Sequence, residues 1–318
     1  MTIGITKDYA DSKTAFLFPG QGAQKVGMGL ELFKASSAAK DVFLQADEAL
    51  GRKLSKVIFE GPEEELKQTL NTQPGIATTS IACMKAMEEL LGNENMPNAN
   101  LMAGHSLGEY TALSAAGVLD VGDTIKLVLK RGELMQQACE ENPGTMAAII
   151  GLDESSLTEI VFQTGAYISN INMPDQIVIS GENMSIARAI DLAKARGAKR
   201  AIPLKVGGAF HSGLMEPAKI GLIETIADLD FHDPIVPIIA NCSAEPLIDG
   251  ENIKQELISQ ISSCVQWSKT MDYMIGEGVT NFIEIGPGRA LSGMMKRFGP
   301  DIKTVSINDP NSIQELTS

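Results

Sequence analysis

Three short apolar segments of the chain each end in a glycine-rich turn. They are residues 15–18 before the turn 19–22, residues 101–103 before Gly104, and residues 282–285 before the turn 286–288. Helical patterns lie between them, at residues 40–50, 75–91, 123–140, 216–228 and 266–277. Strands that alternate with helices favour an α/β fold with a mostly parallel sheet. The turns after parallel strands open at one edge of the sheet, where ligands bind.

The middle of the chain shows a different pattern. Strand-like segments lie at 146–152, 167–171, 176–179 and 201–206, with helical stretches at 153–163 and 183–196. This order, βαββαβ, is typical of a ferredoxin-like unit. We therefore predict an α/β-hydrolase-like core with a mostly parallel sheet, formed by residues 15–140 and 207–318. A ferredoxin-like small subdomain, residues 141–206, is inserted into it, and residues 1–14 form a polar tail.

Charge and cysteine usage exclude several classes of protein. The chain has 26 Lys and Arg against 40 Asp and Glu, a formal net charge of −14. Nucleic acids and anionic membranes attract basic surfaces, so we expect neither as a partner. No apolar run approaches the roughly 18 residues of a membrane helix, and residues 1–14 lack the apolar stretch of a signal peptide. The four cysteines lie far apart, so we expect reduced thiols, no metal site and a cytoplasmic location.

Residues 104–108 read Gly-His-Ser-Leu-Gly, a G-x-S-x-G pattern between a strand and a helix. A sharp turn in that context presents the Ser106 hydroxyl outward, and small residues on either side relieve backbone crowding. The N-terminus of the following helix favours negative charge beside the serine. We predict that Ser106 is a nucleophile. The alternative is an ordinary glycine-rich turn.

A serine nucleophile needs a base, and the chain holds only three histidines. His105 is adjacent to Ser106, and neighbours across a sharp turn usually point apart. His232 lies in a turn-like segment before Pro234. His211 lies in a glycine-rich loop directly after the inserted unit, where a cleft is expected. We predict His211 as the base, with a structural loop histidine as the alternative.

Two further features bear on the chemistry. The Gly20-Gln21-Gly22 turn should open at the same sheet edge as Ser106, where its backbone N–H groups suit an oxyanion hole. The phosphate-loop and dinucleotide patterns are absent, which disfavours nucleotide chemistry. Arg131 lies in an amphipathic stretch, where a solvated arginine is the interpretation that sequence alone favours. Turned into the cleft, it would bind a carboxylate.

Six ordered blocks carry a resemblance that covers about residues 15 to 290. They are residues 18–24 (Phe-Pro-Gly-Gln-Gly-Ala-Gln), 104–110 (Gly-His-Ser-Leu-Gly-Glu-Tyr), 131–132 (Arg-Gly), 208–212 (Gly-Ala-Phe-His-Ser), 265–267 (Val-Gln-Trp) and 284–288 (Glu-Ile-Gly-Pro-Gly). With them the chain resembles the bacterial malonyl-CoA:acyl carrier protein transacylases, which load malonyl groups for fatty-acid synthesis. Ala23 stands where many members have Ser, and we expect little effect from it.

The resemblance implies a two-step acyl transfer without a cofactor. Malonyl-CoA would acylate the serine, and the pantetheine thiol of the acyl carrier protein would then take the malonyl group. The implied roles are nucleophile for Ser106, base for His211, oxyanion-hole N–H groups for Gln21 and Leu107, carboxylate binding for Arg131, preference for unbranched malonyl for Phe210, and orientation of His211 by the main-chain carbonyl of Gln266.

The carrier protein of this family is itself acidic, so a local basic surface on this acidic chain would be needed to bind it. Residues 188–205 hold six basic residues against one acidic residue, a net charge of +5. We expect the carrier to contact Lys194, Arg196, Lys199 and Arg200, and the enzyme to be a monomer. A solvated face without a partner is the alternative.

Two other functions fit part of the sequence. A serine thioesterase or esterase has the same sharp turn, or elbow, at its nucleophilic serine. It also needs an acidic residue between Ser106 and His211 in the chain, where Asp153 and Asp175 are the candidates. Arg131 and Gln266 favour the transferase over this hydrolase. A module that only binds a carrier protein would have lost its catalytic groups, whereas Ser106, His211 and Arg131 are all present.

Overall fold

The computed structural model describes residues 12–92 and 94–316, so the expected polar tail lies mostly outside the described residues. The strands are β1 (Lys13–Phe18), β2 (Ala99–Gly104), β3 (Gly144–Ile150), β4 (Tyr167–Met173), β5 (Gln176–Glu182), β6 (Arg200–Pro203), β7 (Ile238–Ile239), β8 (Pro246–Leu247), β9 (Val279–Ile285) and β10 (Lys303–Ile307).

The helices follow in chain order around these strands. They are α1 (Leu30–Ala35), α2 (Ser37–Ala49), α3 (Leu54–Glu60), α4 (Glu63–Leu66), α5 (Thr69–Leu91), α6 (Leu107–Ala115), α7 (Val121–Glu141), α8 (Glu154–Thr164), α9 (Asn183–Ala195), α10 (Glu216–Ala227), α11 (Gly250–Gln260), α12 (Trp267–Gly276), α13 (Ala290–Met295) and α14 (Pro310–Glu315), with a 3-10 turn at Gly213–Met215. Within the described ranges, no helix is long and apolar enough to cross a membrane.

The larger sheet has six strands in the order β10-β9-β1-β2-β7-β8. All neighbours are parallel except β7 and β8, which form a short antiparallel pair. Along β1, Phe16 and Phe18 face one helical layer, while Ala15 and Leu17 face the layer that contains Trp267. Burial on both faces explains why residues 15–18 of β1 are all apolar. The mixed α/β fold with a mostly parallel sheet is therefore confirmed.

The register of the sheet places two turns side by side. Phe18 at the end of β1 pairs with Gly104 at the end of β2, and Leu17 pairs with Glu284 of β9. Because the strands are parallel, the turns that follow β1 and β2 open at the same edge. This confirms the expectation that the Gln21 turn and the Ser106 elbow are neighbours.

The middle of the chain forms a separate sheet of four strands in the order β4-β5-β3-β6, antiparallel throughout. Helices α8 and α9 bury Leu157, Ile160 and Ile186 against Ile149 and Ile179 of this sheet. Val265, just before α12, joins it to the larger unit by exchanging backbone hydrogen bonds with Ser169 and Ile171 of β4, each at 2.9 Å.

Helix α5 begins at Thr69, six residues before the predicted start at 75, and it contains Pro74. A proline inside a helix frees the carbonyl four residues earlier, here that of Leu70. The Arg52 guanidinium donates to this carbonyl at 3.1 Å and so satisfies it. Pro74 can therefore lie inside the helix, because the Arg52 side chain compensates for the lost backbone bond.

Candidate active site

Ser106 lies on a sharp turn between β2 and α6, and its backbone has φ 51° and ψ −105°, a positive-φ conformation that non-glycine residues rarely adopt. The two glycines of the motif allow the close packing of this turn. A Cβ at Gly104 would lie 1.8 Å from the carbonyl carbon of Gly108, and a Cβ at Gly108 would lie 2.0 Å from the carbonyl oxygen of Phe18. The sequence forms this elbow because only glycine fits at both positions.

Asn241, in the turn between β7 and β8, stabilises the strained elbow by hydrogen bonds to its backbone. Its side-chain oxygen accepts the Ser106 N–H at 2.7 Å, and its side-chain nitrogen donates to the Gly104 carbonyl at 2.8 Å. A non-glycine residue at positive φ costs on the order of 1–3 kcal/mol and persists only where surrounding contacts fix it. Asn241 supplies two such contacts, one to Ser106 itself and one to Gly104, two residues before it.

The structure brings Ser106 and His211 together. His211 Nε2 lies 2.7 Å from Ser106 Oγ, and His211 Nδ1 lies 2.9 Å from the main-chain oxygen of Gln260. His211 is 4% exposed. Burial, together with the nearby Arg131 cation, lowers the pKa of His211 to about 3. The imidazole is therefore neutral at ordinary pH, the form that accepts a proton from serine.

The prediction that Gln266 orients His211 is wrong. The carbonyl that faces His211 Nδ1 belongs to Gln260, the last residue of α11, whose terminal carbonyls lack helical partners. Gln266 instead precedes α12, and its main-chain oxygen accepts the Thr270 N–H at 2.9 Å in the first turn of that helix. The Thr270 hydroxyl donates to the same oxygen at 3.3 Å, so both of its acceptor positions are occupied.

Arg131 is not a solvated helix arginine. It is 1% exposed, and its guanidinium points into the site. It donates to Gln73 Oε1 at 2.7 Å, to Gln260 Oε1 at 3.0 Å and to Ser106 Oγ at 3.1 Å. These direct partners are all uncharged, so a buried cation lies beside the Ser106 hydroxyl with no carboxylate of the described residues bonded to it. Burial lowers the pKa of Arg131, yet an arginine remains protonated at neutral pH.

A cavity of about 200 Å³ opens at Ser106 and is bordered by His211, Arg131 and Phe210. Gln21 and Leu107 line the same cavity. Leu107 is the first residue of α6, so its N–H has no partner inside the helix. The two turns approach closely here, since a Cβ at Gly20 would lie 2.4 Å from the His105 carbonyl oxygen. The oxyanion roles of Gln21 and Leu107 stay predictions that this placement favours.

Among the described residues, none of the remaining candidates is hydrogen-bonded to the Ser106 hydroxyl, although His105 also lines the cavity. His105 Nε2 is 2.8 Å from Asn172 Oδ1, and His232 is exposed. Asp153 caps α8 by accepting the Ser156 N–H at 2.7 Å, and Asp175 forms an ion pair with Arg297 at 2.8 Å. Neither acid reaches His211, so these two candidates do not supply the carboxylate that the hydrolase alternative needs.

Sequence reasoning missed four buried polar residues of the site. They are Gln73, Glu109, Asn241 and Gln260. Glu109 belongs to the block around Ser106, three residues after the nucleophile, and this position was the one available signal. The others come from α5, the β7–β8 turn and the end of α11, and no local pattern links them.

A nucleophile-elbow serine bonded to a histidine on an α/β sheet defines the class of enzymes that transfer acyl groups by way of a serine. Residues 15–305 match the acyl transferase domain family. A malonyl CoA-acyl carrier protein transacylase of Bacillus subtilis (strain 168) is 47% identical over 308 residues, which are 95% of this chain and 96% of that protein. The chain belongs to the malonyl CoA-acyl carrier protein transacylase family.

Solved structures agree with this assignment. The acyl-carrier-protein-S-malonyltransferase of Bartonella henselae has a TM-score of 0.92 and 41% identity, over 95% of this chain and 98% of that chain. A malonyl-transacylase solved in complex with a type II PKS acyl-carrier protein has a TM-score of 0.92 and 38% identity, over 96% of this chain and 99% of that chain.

Proposed function

We propose that the chain transfers the malonyl group from malonyl-CoA to the pantetheine thiol of an acyl carrier protein, through a malonyl ester of Ser106. The observation that carries this proposal is Arg131, a buried cation 3.1 Å from the nucleophile oxygen whose hydrogen bonds within the described residues go to neutral groups. A free carboxylate on the acyl group supplies the missing negative partner. The names of the relatives, malonyl CoA-acyl carrier protein transacylases, agree with both substrates.

In the first step, Ser106 Oγ attacks the thioester carbonyl while His211 Nε2 accepts its proton. The N–H groups of Gln21 and Leu107 bind the oxygen that becomes negative. As the intermediate collapses, the C–S bond breaks and His211 returns the proton to the sulfur of CoA. The Gln260 carbonyl holds the Nδ1–H of His211 throughout, which keeps Nε2 directed at Ser106.

In the second step, the carrier thiol approaches the malonyl ester and His211 accepts its proton. The sulfur attacks the ester carbonyl, the bond to Ser106 Oγ breaks, and the proton moves from His211 to the serine. The malonyl group thus passes from the thioester of CoA to a thioester of the carrier protein. Water that enters in place of the thiol would hydrolyse the ester, so the transferase depends on the fit of the carrier arm.

Arg131 and Phe210 are the residues we propose for acyl selectivity. The carboxylate of a malonyl group on Ser106 would take over the guanidinium donors as a bidentate pair. Such a charged hydrogen-bonded pair contributes about 1.5–3 kcal/mol, or roughly ten- to a hundredfold in rate. Phe210, which is 7% exposed and lines the cavity, limits the room for a branch on the acyl group.

We also propose that the antiparallel unit is a ferredoxin-like subdomain of about residues 141–206 and that its basic face binds the carrier. The strand order β4-β5-β3-β6 with α8 and α9 supports the first proposal. Lys194, Arg196, Lys199 and Arg200 are all exposed, and β6 leads directly from this face to Leu204 in the cavity wall. A carrier bound there could reach Ser106 with its pantetheine arm.

The change Arg131→Ala tests the proposed substrate. Wild-type protein should move malonyl from malonyl-CoA to holo carrier protein, measured as kcat/KM with acetyl-CoA assayed in parallel. The variant should lose malonyl transfer by about ten- to a hundredfold more than acetyl transfer, because only malonyl has the carboxylate. Equal losses of both activities would remove Arg131 from the selectivity argument. Wild-type protein that transfers no malonyl would refute the proposed function.

A further inference from the structure

Glu109 is a fully buried carboxyl group that the steps above leave unused. It lies in the first turn of α6, three residues after Ser106. Its Oε1 accepts the backbone N–H of Asn241 at 2.9 Å, and its Oε2 accepts the side-chain N–H of Gln260 at 2.7 Å. One carboxyl group thus contacts both residues that hold the catalytic groups in place.

The contact with Gln260 fixes which way its side-chain amide faces. The Gln260 nitrogen donates to Glu109 and also to the main-chain oxygen of Ser106 at 2.8 Å. The Gln260 oxygen is therefore directed to the other side, where it accepts from the Arg131 guanidinium at 3.0 Å. The direction of hydrogen bonding runs from Arg131 through the Gln260 amide to Glu109.

We propose that Glu109 is a positioning residue that, through the Gln260 amide, holds the Arg131 guanidinium where it binds the acyl carboxylate, so that Glu109 contributes to the selectivity for malonyl over acetyl groups. This inference rests on the proposed malonyl transfer. It adds a residue that touches neither substrate and that acts through two hydrogen bonds.

An amide at position 109 cannot preserve this chain of contacts. A carboxyl oxygen accepts a hydrogen bond in both protonation states, whereas an amide nitrogen only donates. If the oxygen of the introduced amide faced the Asn241 N–H, its nitrogen would face the Gln260 nitrogen. Gln260 would then have to turn its own nitrogen toward Arg131, donor against donor. The other orientation of the introduced amide places its nitrogen against the Asn241 N–H.

Glu109 can therefore make these two contacts whether its carboxyl group is ionised or neutral. Burial, together with the second buried carboxyl group Glu256, raises the pKa of Glu109. Glu256 is engaged elsewhere, accepting the Cys242 N–H at 2.7 Å. The geometry requires only that both oxygens of Glu109 accept.

The test compares Glu109→Gln, Gln260→Met and the double variant with wild-type protein. The readout is the ratio of kcat/KM for malonyl-CoA to that for acetyl-CoA, with holo carrier protein as acceptor. Glu109→Gln and Gln260→Met should each lower this ratio by about tenfold, as expected for a weakened hydrogen bond to a charged group. The double variant should match Gln260→Met, because Glu109 acts through that amide.

Glu284→Gln is the matched control. Glu284 is also fully buried, and its two oxygens accept the N–H groups of Leu291 and Ser292 at 3.1 and 2.7 Å, outside the site. This variant should lower the melting temperature and leave the malonyl to acetyl ratio unchanged. A merely structural role for Glu109 would make Glu109→Gln behave in the same way.

Three outcomes would overturn the inference while wild-type protein still transfers malonyl. They are an unchanged ratio in Glu109→Gln, an unchanged ratio in Gln260→Met, and additive losses in the double variant. If Glu109→Gln does not fold, Glu109→Met takes its place, and an unchanged ratio in Gln260→Met would still overturn the inference. Absence of malonyl transfer in wild-type protein would instead refute the proposed function.

Discussion

Among the described residues, three that are not glycine have a positive φ, and two of them are Ser106 and His211. The third is Ala244, three residues after Asn241 in the turn that holds the elbow. Backbone strain of this kind clusters where surrounding contacts define a functional geometry. Here those contacts are the side chain of Asn241 at Ser106 and the carbonyl of Gln260 at His211.

The low pKa of His211 predicts how the reaction depends on pH. The base must be neutral, and burial with the Arg131 cation keeps it neutral down to about pH 3. The rate of serine acylation by acetyl-CoA should therefore stay level as pH falls from about 8 to about 5, below the ordinary histidine pKa of about 6.5. Stopped-flow mixing across this range measures it.

Arg131→Ala serves as the control for that profile. Because the variant lacks the second cause of the lowered pKa, the acid side of its profile should move toward higher pH. A wild-type rate that falls with a midpoint near the ordinary histidine pKa of about 6.5 would contradict the assignment of His211 as a buried neutral base.

At the scale of single residues, part of the site could be predicted from the sequence. The motif around Ser106 and the loop around His211 carry local signals, and the structure brings the two side chains together. Gln260 and Gln266 are both glutamines near a helix end, and only the three-dimensional path of α11 shows which carbonyl faces the histidine. The hydrogen-bond partners of Arg131 could not be predicted either, because they lie on the distant helices α5 and α11.

At the scale of elements, the elbow depends on contact between β1, β2 and α6. Gly108 is the second residue of α6, and its Cα approaches the end of β1. The three short apolar strands and the five helical patterns around them were predictable from the pattern of apolar residues. The pair β7 and β8 was not, since strands of two residues have no periodicity, yet the turn between them carries Asn241.

The change Gly108→Ala tests the packing of the elbow. Its Cβ would lie 2.0 Å from the Phe18 carbonyl oxygen, so β1 and α6 would have to separate. We expect the free energy of unfolding, measured with urea, to fall by about 1–3 kcal/mol, and acylation of Ser106 to slow.

Gly293→Ala is the control, because Gly293 lies inside α13 and a Cβ there would meet no heavy atom within 4 Å. It should raise the free energy of unfolding by up to about 1 kcal/mol, as alanine favours helix over glycine. Similar effects of both changes would show that the elbow does not need glycine at position 108.

At the scale of the whole molecule, charge is unevenly distributed. The chain has a net charge of −14, yet residues 188–205 have a net charge of +5. Arg196 is partly engaged by Glu159 at 2.8 Å, while Lys199 and Arg200 are exposed at the start of β6. A local basic face on an acidic protein favours one orientation of an acidic partner over others.

Replacing Lys199 and Arg200 by Glu tests this face. The KM for the carrier protein should rise, and its dependence on salt should weaken, while the KM for malonyl-CoA stays unchanged. Lys126→Glu with Lys130→Glu makes the same change of charge on the exposed face of α7 and should leave the carrier KM unchanged. If the Lys199 and Arg200 variant keeps the wild-type carrier KM, the carrier binds elsewhere.

The central claim is that Ser106 carries a malonyl group that a thiol, rather than water, removes. Intact-mass spectrometry after brief mixing with malonyl-CoA tests it most directly, with Ser106→Ala as the blank. We expect a malonyl adduct on wild-type protein that persists in buffer and disappears when holo carrier protein is added, as malonyl appears on the carrier. An adduct lost equally fast in buffer, or an adduct also present on Ser106→Ala, would contradict the account.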